Sequence, residues 1–520
     1  MNKRIIGSLA LIVLIASFAT ADVRLPAIIS DNMVIQADAK APIWGWAGPN
    51  ETVTVTIGKQ KQTATANADG KWMVKLPAMK TSNTPLEMTI AGKNTITVKN
   101  ILIGQVWLSS GQSNMNMTVG SAGNWQTGVL NCEQEVANAR YPTIRLFTVQ
   151  QYAAFSPIAD CNGRWVECSP KTVGSFSAVA YFFGRELYKE LNQPVGLINS
   201  SWGGTIAETW MSAGSLHANP DFASILQRHK DLIKIYPNGQ ADYDKAFAQW
   251  QKNANDAEKA GNPQPAKPAP LLGQQNPNGA SLLYNGMIAP IIPYAIKGAI
   301  WYQGESNSAR AKQYQTLFPA LIADWRNQWH EGDFPFLFVQ IADFRIPPGW
   351  FSPLAWVELR EAQLKTLSVP NTGMAVTTDI GDANNIHPKN KQEVGRRLAL
   401  WAMAKTYGKK IEYSGPVYKN MKVDAGKIHL TFIHADGGLV VKGGELKGFT
   451  IAGDDKKFVP AKAAIKDGTV IVESSEVKEP AAVRYGWSDV TTECNLFNAA
   501  GLPASPFRTD DWPGVTDNEK

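Results

Sequence analysis

The chain has 520 residues, of which 44% are hydrophobic and 18% are charged, and its formal net charge is +6. A chain of this length needs more than one hydrophobic core, and the composition is typical of a folded protein and excludes a disordered one. The small net charge and the absence of any block of five or more Lys or Arg residues give no indication of a nucleic acid partner.

Residues 1–21 are predicted to be a secretory signal peptide. Two basic residues precede an apolar stretch, 5–18, and Ala19-Thr20-Ala21 fits an A-x-A cleavage site. A membrane anchor is the alternative, but this stretch is short for a span and no later run of 18 apolar residues occurs. We therefore expect an exported protein, periplasmic or secreted, that begins at Asp22 and makes no stable insertion in a membrane.

Residues 22–100 are predicted to form a β-sandwich module. Apolar and polar residues alternate over 53–57 and 63–66, and Ala68-Asp69-Gly70-Lys71 is typical of a hairpin turn. No pattern in this module indicates a catalytic role.

Residues 101–408 are predicted to form an α/β domain with a doubly wound, mostly parallel sheet, because short apolar runs alternate with amphipathic segments. A polar helical segment and a connector rich in Pro, Asn and Gln interrupt the pattern at 221–281, which predicts a surface insertion. The predicted strands cover 101–108, 144–149, 195–199, 296–301, 336–341 and 373–378, and the predicted helices cover 176–191, 312–329, 354–367 and 391–407.

Residues 409–520 are predicted to form a C-terminal β-rich module. The segments 427–432 and 469–472 alternate in polarity, and pairs of glycines mark turns between such segments. The stretch 485–498 is expected to pack back against the α/β domain.

The four cysteines, Cys132, Cys161, Cys168 and Cys494, form no C-x-x-C pair, which argues against a zinc ribbon or a thioredoxin-like site. Cys161 and Cys168 lie on either side of an Asn-Gly turn. They are expected either to form a local disulfide or to remain as buried free thiols.

Ser113 is the candidate nucleophile. It follows the buried strand 101–108 in the segment 107–117, WLSSGQSNMNM, where a glycine and small polar residues predict a sharp strand-to-helix turn. A hydroxyl at such a turn lies at the carboxyl edge of the sheet, where open α/β folds bind their ligands. It requires a neighbouring base, because a serine hydroxyl is a weak nucleophile at its own pKa.

His387 is the best candidate for that base, because it alone among the histidines follows a strand of the α/β domain. The others lie in or near the insertion, at a helix end or in the C-terminal module: His217, His229, His330, His429 and His434. The alternative for this loop is a metal site made by Asp379, Asp382 and His387, and the presence of Ser113 disfavours it.

Acyl transfer also needs hydrogen-bond donors for the oxyanion. The backbone N–H of Ser113 is one candidate, and Gly203 and Gly204, at another strand end, allow close backbone approach. Gln303 offers a side-chain amide at a third strand end, with Glu305 beside it. An ordinary glycine turn and a capped helix start are the alternatives for these two segments.

Four motifs resemble those of the SGNH (GDSL-type) hydrolases and specifically the sialate O-acetylesterase family of carbohydrate esterases. They are Gly111-Gln112-Ser113-Asn114-Met115, Ser201-Trp202-Gly203-Gly204-Thr205, Trp301-Tyr302-Gln303-Gly304-Glu305-Ser306-Asn307 and Ile386-His387-Pro388. The resemblance implies a flavodoxin-like three-layer domain that removes acetyl groups from sugar hydroxyls through an acetyl-serine, with no metal or cofactor. It also implies that Ser113 is the nucleophile, that His387 is the base, and that Ser113, Gly203 or Gly204, and Gln303 form the oxyanion hole.

One position departs from the family pattern. These enzymes usually carry Asp three residues before the histidine, whereas this chain has Asn384 there. Asp382, the Asn384 amide oxygen or a backbone carbonyl could orient the imidazole instead, since the ring needs an acceptor that is not always a carboxylate.

The resemblance implies an acetylated sugar or glycan as substrate, with a (9-)O-acetylated sialic acid first and acetyl-xylan or another plant polysaccharide as the alternative. A sialic acid carboxylate would call for a cation, for which Arg345 is a candidate. Sugar rings would suit Glu305 and aromatic platforms, of which the candidates are Trp202, Trp210, Trp301, Trp350 and Phe351. A non-catalytic secreted carbohydrate-binding protein is the alternative from another class.

Overall fold

The computed structural model describes residues 22–123 and 125–520. The predicted signal peptide therefore lies outside the described residues. Across the part of the chain that is described, no helix combines the length and the apolar character needed to cross a bilayer.

The N-terminal region is built of strands. Two of them, Ala41–Trp46 and Lys71–Leu76, form an antiparallel pair, and the others join a second sheet that shares its hydrophobic core. The strands are β1 (Val34–Gln36), β2 (Ala41–Trp46), β3 (Thr52–Ile57), β4 (Gln60–Thr65), β5 (Lys71–Leu76), β6 (Ser82–Ala91) and β7 (Thr95–Gly111).

Strand β7 joins this region to the centre of the molecule. It is 17 residues long, pairs antiparallel with β6 through its first half and is fully buried from Ile101 to Gly111. The boundary predicted between residues 100 and 101 therefore falls inside one continuous strand.

The central part of the chain alternates between strands and helices. Its strands are β8 (Tyr141–Thr148), β9 (Trp165–Cys168), β10 (Val195–Ser201), β11 (Gly298–Tyr302), β12 (Phe336–Val339) and β13 (Thr372–Ala375). Its helices are α1 (Ser113–Asn116), α2 (Cys132–Ala137), α3 (Ala178–Leu191), α4 (Ala213–Ala218), α5 (Ala223–Lys234), α6 (Gln240–Lys259), α7 (Ala311–Trp329), α8 (Ala355–Lys365) and α9 (Lys391–Trp401).

The central sheet has the strand order β13-β12-β11-β7-β10-β8-β9. All neighbours are parallel except β9, which runs antiparallel at the edge. Helices α3 and α9 cover one face of the sheet, and α7 and α8 cover the other. The two faces pack in two different hydrophobic clusters. Burial on both faces explains the unbroken apolar runs of the central strands, and the architecture is a mixed α/β fold with β-rich regions at both ends.

The described insertion consists of α5, α6 and the connector that follows. Helix α6 is mostly exposed, and its aromatic side chains pack on one another and on the connector, where Trp250 Nε1 donates to the Pro265 carbonyl at 2.9 Å. At the far end of the connector, Asn278 Nδ2 donates to the Gly204 carbonyl at 3.1 Å. The insertion therefore ends against one of the predicted site segments.

The C-terminal region is again made of strands, and its hydrophobic core is separate from the others. It contacts the central part through buried Arg360 of α8, which donates to the carbonyls of Ser488 and Asp489 at 2.9 and 3.0 Å. The strands are β14 (Val417–Asp424), β15 (Lys427–Ile433), β16 (Leu439–Val441), β17 (Phe449–Ala452), β18 (Val459–Pro460), β19 (Lys462–Lys466), β20 (Thr469–Glu473), β21 (Ala482–Tyr485), β22 (Leu496–Asn498) and β23 (Phe507–Arg508).

The suggested disulfide between Cys161 and Cys168 is not formed, and all four cysteines are free thiols. Cys161 and Cys168 pack into different hydrophobic clusters, so nearness in sequence does not bring their sulfurs together. Burial raises the pKa of each of these two thiols to about 12, which keeps them protonated and unreactive.

Candidate active site

The predicted site segments follow three neighbouring strands. Gly111, the last residue of β7, lies in register with Ser201 of β10 on one side and with Tyr302 of β11 on the other. Because parallel strands end at the same edge of a sheet, the turns after these residues meet. Ser113, the Gly203-Gly204 turn and the segment from Gln303 to Glu305 are thus brought together as the sequence predicts.

The turn that carries Ser113 requires glycine before it. Gly111 has φ +135°, and a Cβ added there would lie 2.1 Å from the Tyr302 carbonyl oxygen. Gln112 then fixes the turn, since its N–H donates to that carbonyl at 2.9 Å and its Oε1 accepts from the N–H groups of Gly304 and Ser306 at 3.3 and 3.2 Å. Ser113 follows as the first residue of α1 and is 8% exposed.

Ser113 and His387 line the same cavity, which has a volume of about 650 Å³. Its wall combines aromatic rings with amide and hydroxyl groups. The lining residues are Gln112, Ser113, Asn116, Trp125, Gln126, Gln151, Trp202, Gly203, Gly204, Glu305, Ser306, Trp350, Phe351, Ile386 and His387.

Gly203 lies directly against the serine. A Cβ added to Gly203 would lie 3.3 Å from Ser113 Cβ, so a larger residue would crowd the candidate nucleophile. Among the described residues, none accepts a hydrogen bond from the backbone N–H of Ser113, Gly203 or Gly204. These three donors border the cavity and remain available for an oxyanion.

Gln303 lies behind this edge and is fully buried. Its amide nitrogen donates to the Thr205 carbonyl at 3.1 Å and to Asn307 Oδ1 at 2.6 Å, and its Oε1 accepts from the Tyr314 hydroxyl at 2.9 Å. Both amide protons are therefore engaged. In this arrangement Gln303 supports the turn that contains Gly203 and Gly204.

His387 belongs to the loop after β13, and its ring lies 4.7 Å from that of Trp125, centroid to centroid. Burial, with a smaller contribution from the Lys391 ammonium, lowers the pKa of His387 to about 4. The imidazole is therefore neutral at neutral pH, which is the form that accepts a proton.

Asp382 and Asn384 are exposed, and their side chains have other partners. Asp382 Oδ1 accepts from the Asn384 N–H at 2.9 Å, and Asn384 Oδ1 accepts from Arg345 at 3.1 Å. Within the described chain, neither side chain is hydrogen-bonded to the ring of His387.

Comparison with known proteins places the chain in a family. A model of the family "Carbohydrate esterase, sialic acid-specific acetylesterase" matches residues 266–404. The sialate O-acetylesterase of Mus musculus is 31% identical over 533 residues, covering 93% of this chain and 94% of the mouse protein. That of Homo sapiens is 31% identical over 548 residues, covering 95% of this chain and 94% of the human protein.

A crystal structure described as a novel carbohydrate acetylesterase from Xanthomonas citri is also similar. It is 36% identical, has a TM-score of 0.79 and covers 94% of this chain and 100% of its own. This chain belongs to the sialate O-acetylesterase family. Family membership confirms the predicted carbohydrate esterase, a carboxylic ester hydrolase, over the non-catalytic alternative.

Two of the predicted aromatic platforms lie in the core and do not border the cavity. Trp301 and Trp210 are fully buried, with their rings 6.2 Å apart and edge to face, and Trp301 also packs against Phe318 and Trp325. Neither lines the cavity. Trp202, Trp350 and Phe351 do line it, as does Glu305, whose carboxylate accepts from Asn114 at 2.6 Å.

The alternative metal site is not assembled. Arg397 donates to both carboxylate oxygens of Asp379, at 2.6 and 2.8 Å, so this side chain is engaged in an ion pair. Among the described residues, no group of three or more His, Cys, Asp or Glu side chains is placed to hold a metal ion.

Several cavity residues lay outside the motifs and were missed in the sequence. Asn116 and Trp125 follow Ser113 closely, and Gln151 comes from the segment after β8; only their position after strand ends could have indicated them. Lys391, which does not line the cavity, was also missed. It is the first residue of α9, and a cation is unfavourable at the N-terminus of a helix. This unfavourable position is the one feature of the sequence that could have indicated a special role for Lys391.

We expect Asp382→Asn and Asn384→Ala each to keep kcat/KM for an activated acetate ester within about threefold of wild type, because neither side chain contacts the imidazole. The measurement is initial-rate kinetics at several ester concentrations. A loss of a hundredfold or more in either variant would identify that residue as the group that orients His387.

Proposed function

We propose that the protein deacetylates sugar hydroxyls by a two-step mechanism with Ser113 as nucleophile and His387 as general base and acid. The observation that carries this proposal is the shared cavity, which is lined by Ser113, by a neutral His387 and by Gly203 and Gly204. The backbone N–H groups of Ser113, Gly203 and Gly204 have no acceptor among the described residues. Acyl transfer needs a serine hydroxyl, a neutral imidazole that can take its proton and donors for the oxyanion, and residues of all three kinds line this cavity.

In the first step, His387 takes the hydroxyl proton as Ser113 Oγ attacks the acetyl carbonyl carbon. The negative charge on the carbonyl oxygen is stabilised by the N–H groups of Ser113, Gly203 and Gly204. The C–O bond to the sugar then breaks, and the sugar oxygen takes the proton from His387. In the second step, His387 deprotonates a water that attacks the acetyl-serine, and acetate leaves as Ser113 regains its proton.

The proposal also includes the type of catalytic domain, the export of the protein and its division into modules. The parallel strand order, with helices on both faces and Ser113 after the central strand, supports a flavodoxin-like SGNH hydrolase domain over 101–408. The basic and apolar start of the sequence supports a signal peptide and export to the periplasm or the medium. The modules at 22–100 and 409–520 stay predictions as separate domains.

The names of the relatives favour an O-acetylated sialic acid as substrate, since the mouse and human proteins are sialate O-acetylesterases. A sialic acid would place a carboxylate at the cavity. Arg345, in the segment after β12, is exposed and donates to Asn384 on the histidine loop, so it is a candidate cation for that carboxylate.

The cavity lining favours a second candidate, an acetylated neutral glycan. Among the described residues, no Lys or Arg lines the cavity. Trp125 and Trp350 are 39% and 57% exposed there, and Phe351 lies beside Trp350. Exposed aromatic faces beside amide groups suit uncharged sugar rings, which have apolar faces and hydroxyl edges.

The experiment is a panel of 9-O-acetylated sialosides and acetylated xylo-oligosaccharides, scored by acetate release at equal concentrations. A preference for sialosides would support the first substrate and a preference for xylo-oligosaccharides the second. Wild-type protein that releases acetate from neither of these nor from an activated acetate ester would contradict the proposed activity.

We expect Trp350→Ala to raise KM for the preferred acetylated oligosaccharide about tenfold, which is about 1.4 kcal/mol of binding, because it removes an exposed aromatic face. Turnover of a small activated acetate ester should stay unchanged, since that ester has no sugar ring for Trp350 to contact. Phe155→Ala is the matched control, because Phe155 is 64% exposed but does not line the cavity. Equal KM values for Trp350→Ala and wild type would show that Trp350 is no sugar platform.

A further inference from the structure

Lys391 is a fully buried cation beside the site that the two-step mechanism does not use. Its ammonium donates to Asn114 Oδ1 at 2.7 Å and to the Pro388 carbonyl at 2.6 Å. The charged groups that face it are Glu305 and, when protonated, His387, and the ring of Tyr302 lies 5.6 Å away. An ammonium is costly to bury, so its retention here calls for a specific role.

Asn114 connects this lysine to both halves of the proposed catalytic pair. It is the residue after Ser113, and its amide nitrogen donates to Glu305 Oε1 at 2.6 Å and to the Ile386 carbonyl at 3.0 Å. Lys391, Asn114 and Glu305, here called the Lys391 cluster, are all at least 97% buried. The cluster therefore binds the carbonyls of both residues that flank His387.

We propose that Lys391 and Asn114 are positioning residues that hold His387 opposite Ser113 through the backbone on both sides of the histidine. This inference rests on the proposed roles of Ser113 and His387. It explains how the imidazole is placed although the side chains of Asp382 and Asn384 are engaged elsewhere. Glu305 offsets the charge of Lys391 from the far side of Asn114.

The Lys391 cluster also sets the charge around the imidazole. The Lys391 ammonium disfavours a second positive charge on His387 and adds to the effect of burial in lowering the pKa of the histidine. Burial lowers the pKa of Lys391 itself to about 7, and the nearby Glu305 carboxylate opposes that change. Removal of the ammonium should therefore raise the pKa of His387, a change that loss of packing alone would not produce.

The test is Lys391→Met, which keeps the length of the side chain and removes its charge and hydrogen bonds. We expect kcat for an activated acetate ester to fall about tenfold to a hundredfold with KM within threefold, because small displacements of a catalytic group cost this much. The acid limb of kcat/KM should also move to higher pH. Lys365→Met is the matched control, because that lysine ends α8 and its side chain is 50% exposed.

Asn114→Ala provides the second variant and keeps the test decisive if Lys391→Met does not fold. It removes the contact to Ile386 but leaves the ammonium, so kcat should fall by a similar factor without a rise of the acid limb. Unchanged kcat in the folded variants, or a kcat loss in Lys391→Met with an unmoved acid limb, would overturn the inference. Retained turnover in Ser113→Ala or His387→Ala, measured alongside, would instead overturn the proposed function.

Discussion

Ser113→Ala is expected to lower kcat for an activated acetate ester by about 10⁴-fold or more, because the proposed nucleophile of the acetyl-enzyme route is lost. The fold should persist. The substitution removes one oxygen from a residue whose backbone position is fixed by Gln112 and by the strand β7 before it. The measurement is steady-state kinetics together with thermal unfolding of the same preparation.

Ser306→Ala is the matched control for this variant. Ser306 lines the same cavity, and its contribution to the turn is a backbone N–H that donates to Gln112. Its hydroxyl has no part in the proposed chemistry, so kcat should stay within a few-fold of wild type. Comparable losses in the two serine variants would show that the cavity, and not the Ser113 hydroxyl in particular, was disturbed.

His387→Ala is expected to reduce kcat nearly as far, by about 10³-fold to 10⁴-fold, since Ser113 then lacks its proposed base. His217→Ala, on an exposed face of α4, is the control and should behave as wild type. Activity of His387→Ala within tenfold of wild type would assign the base to another residue.

The pH profile of the wild-type protein provides a second readout of the same histidine. The base works in its neutral form, which predominates above its pKa, and burial lowers the pKa of His387 to about 4. We therefore expect kcat/KM to stay level as pH falls from about 7 to about 5 and to drop as pH passes through about 4. An acid limb near the ordinary histidine pKa, about 6.5, would show that the ring is not desolvated as the structure has it.

The sequence predicted well those features that depend on local pattern. Helix α3 was expected over 176–191 and covers Ala178–Leu191, and α7 was expected over 312–329 and covers Ala311–Trp329. A strongly periodic apolar face determines both. The meeting of Ser113 with the Gly203-Gly204 turn was predictable for a related reason, because parallel strands end at one edge of their sheet.

Features that depend on which face a residue occupies, or on contacts between distant segments, were not predictable. Trp301 lies in a strand that is buried on both sides, so its sequence cannot show that the ring points into the core rather than toward the cavity. The bond between Lys391 and Asn114 joins residues 277 positions apart. Neither residue belongs to a pattern that indicates the other, and only the packing of the histidine loop on the turn after β7 brings them together.

The group that orients the His387 ring could not be predicted from the sequence either. A motif led to the expectation of a carboxylate three residues before the histidine, and Asn384 at that position left Asp382, Asn384 and the backbone as alternatives. The structure engages both side chains elsewhere and holds the flanking backbone instead. The kinetics of the Asp382, Asn384 and Lys391 variants together distinguish these arrangements.

The most direct test of the proposed mechanism is to trap the acetyl-enzyme. Wild-type protein is mixed with an activated acetate ester, quenched in acid within the first turnovers, digested and examined by mass spectrometry. We predict one acetyl group on the peptide that contains Ser113, located at that residue by fragmentation, and none in Ser113→Ala treated in the same way. Acetate release from wild type with no acetyl group on Ser113, or an acetyl group that persists in Ser113→Ala, would contradict the mechanism.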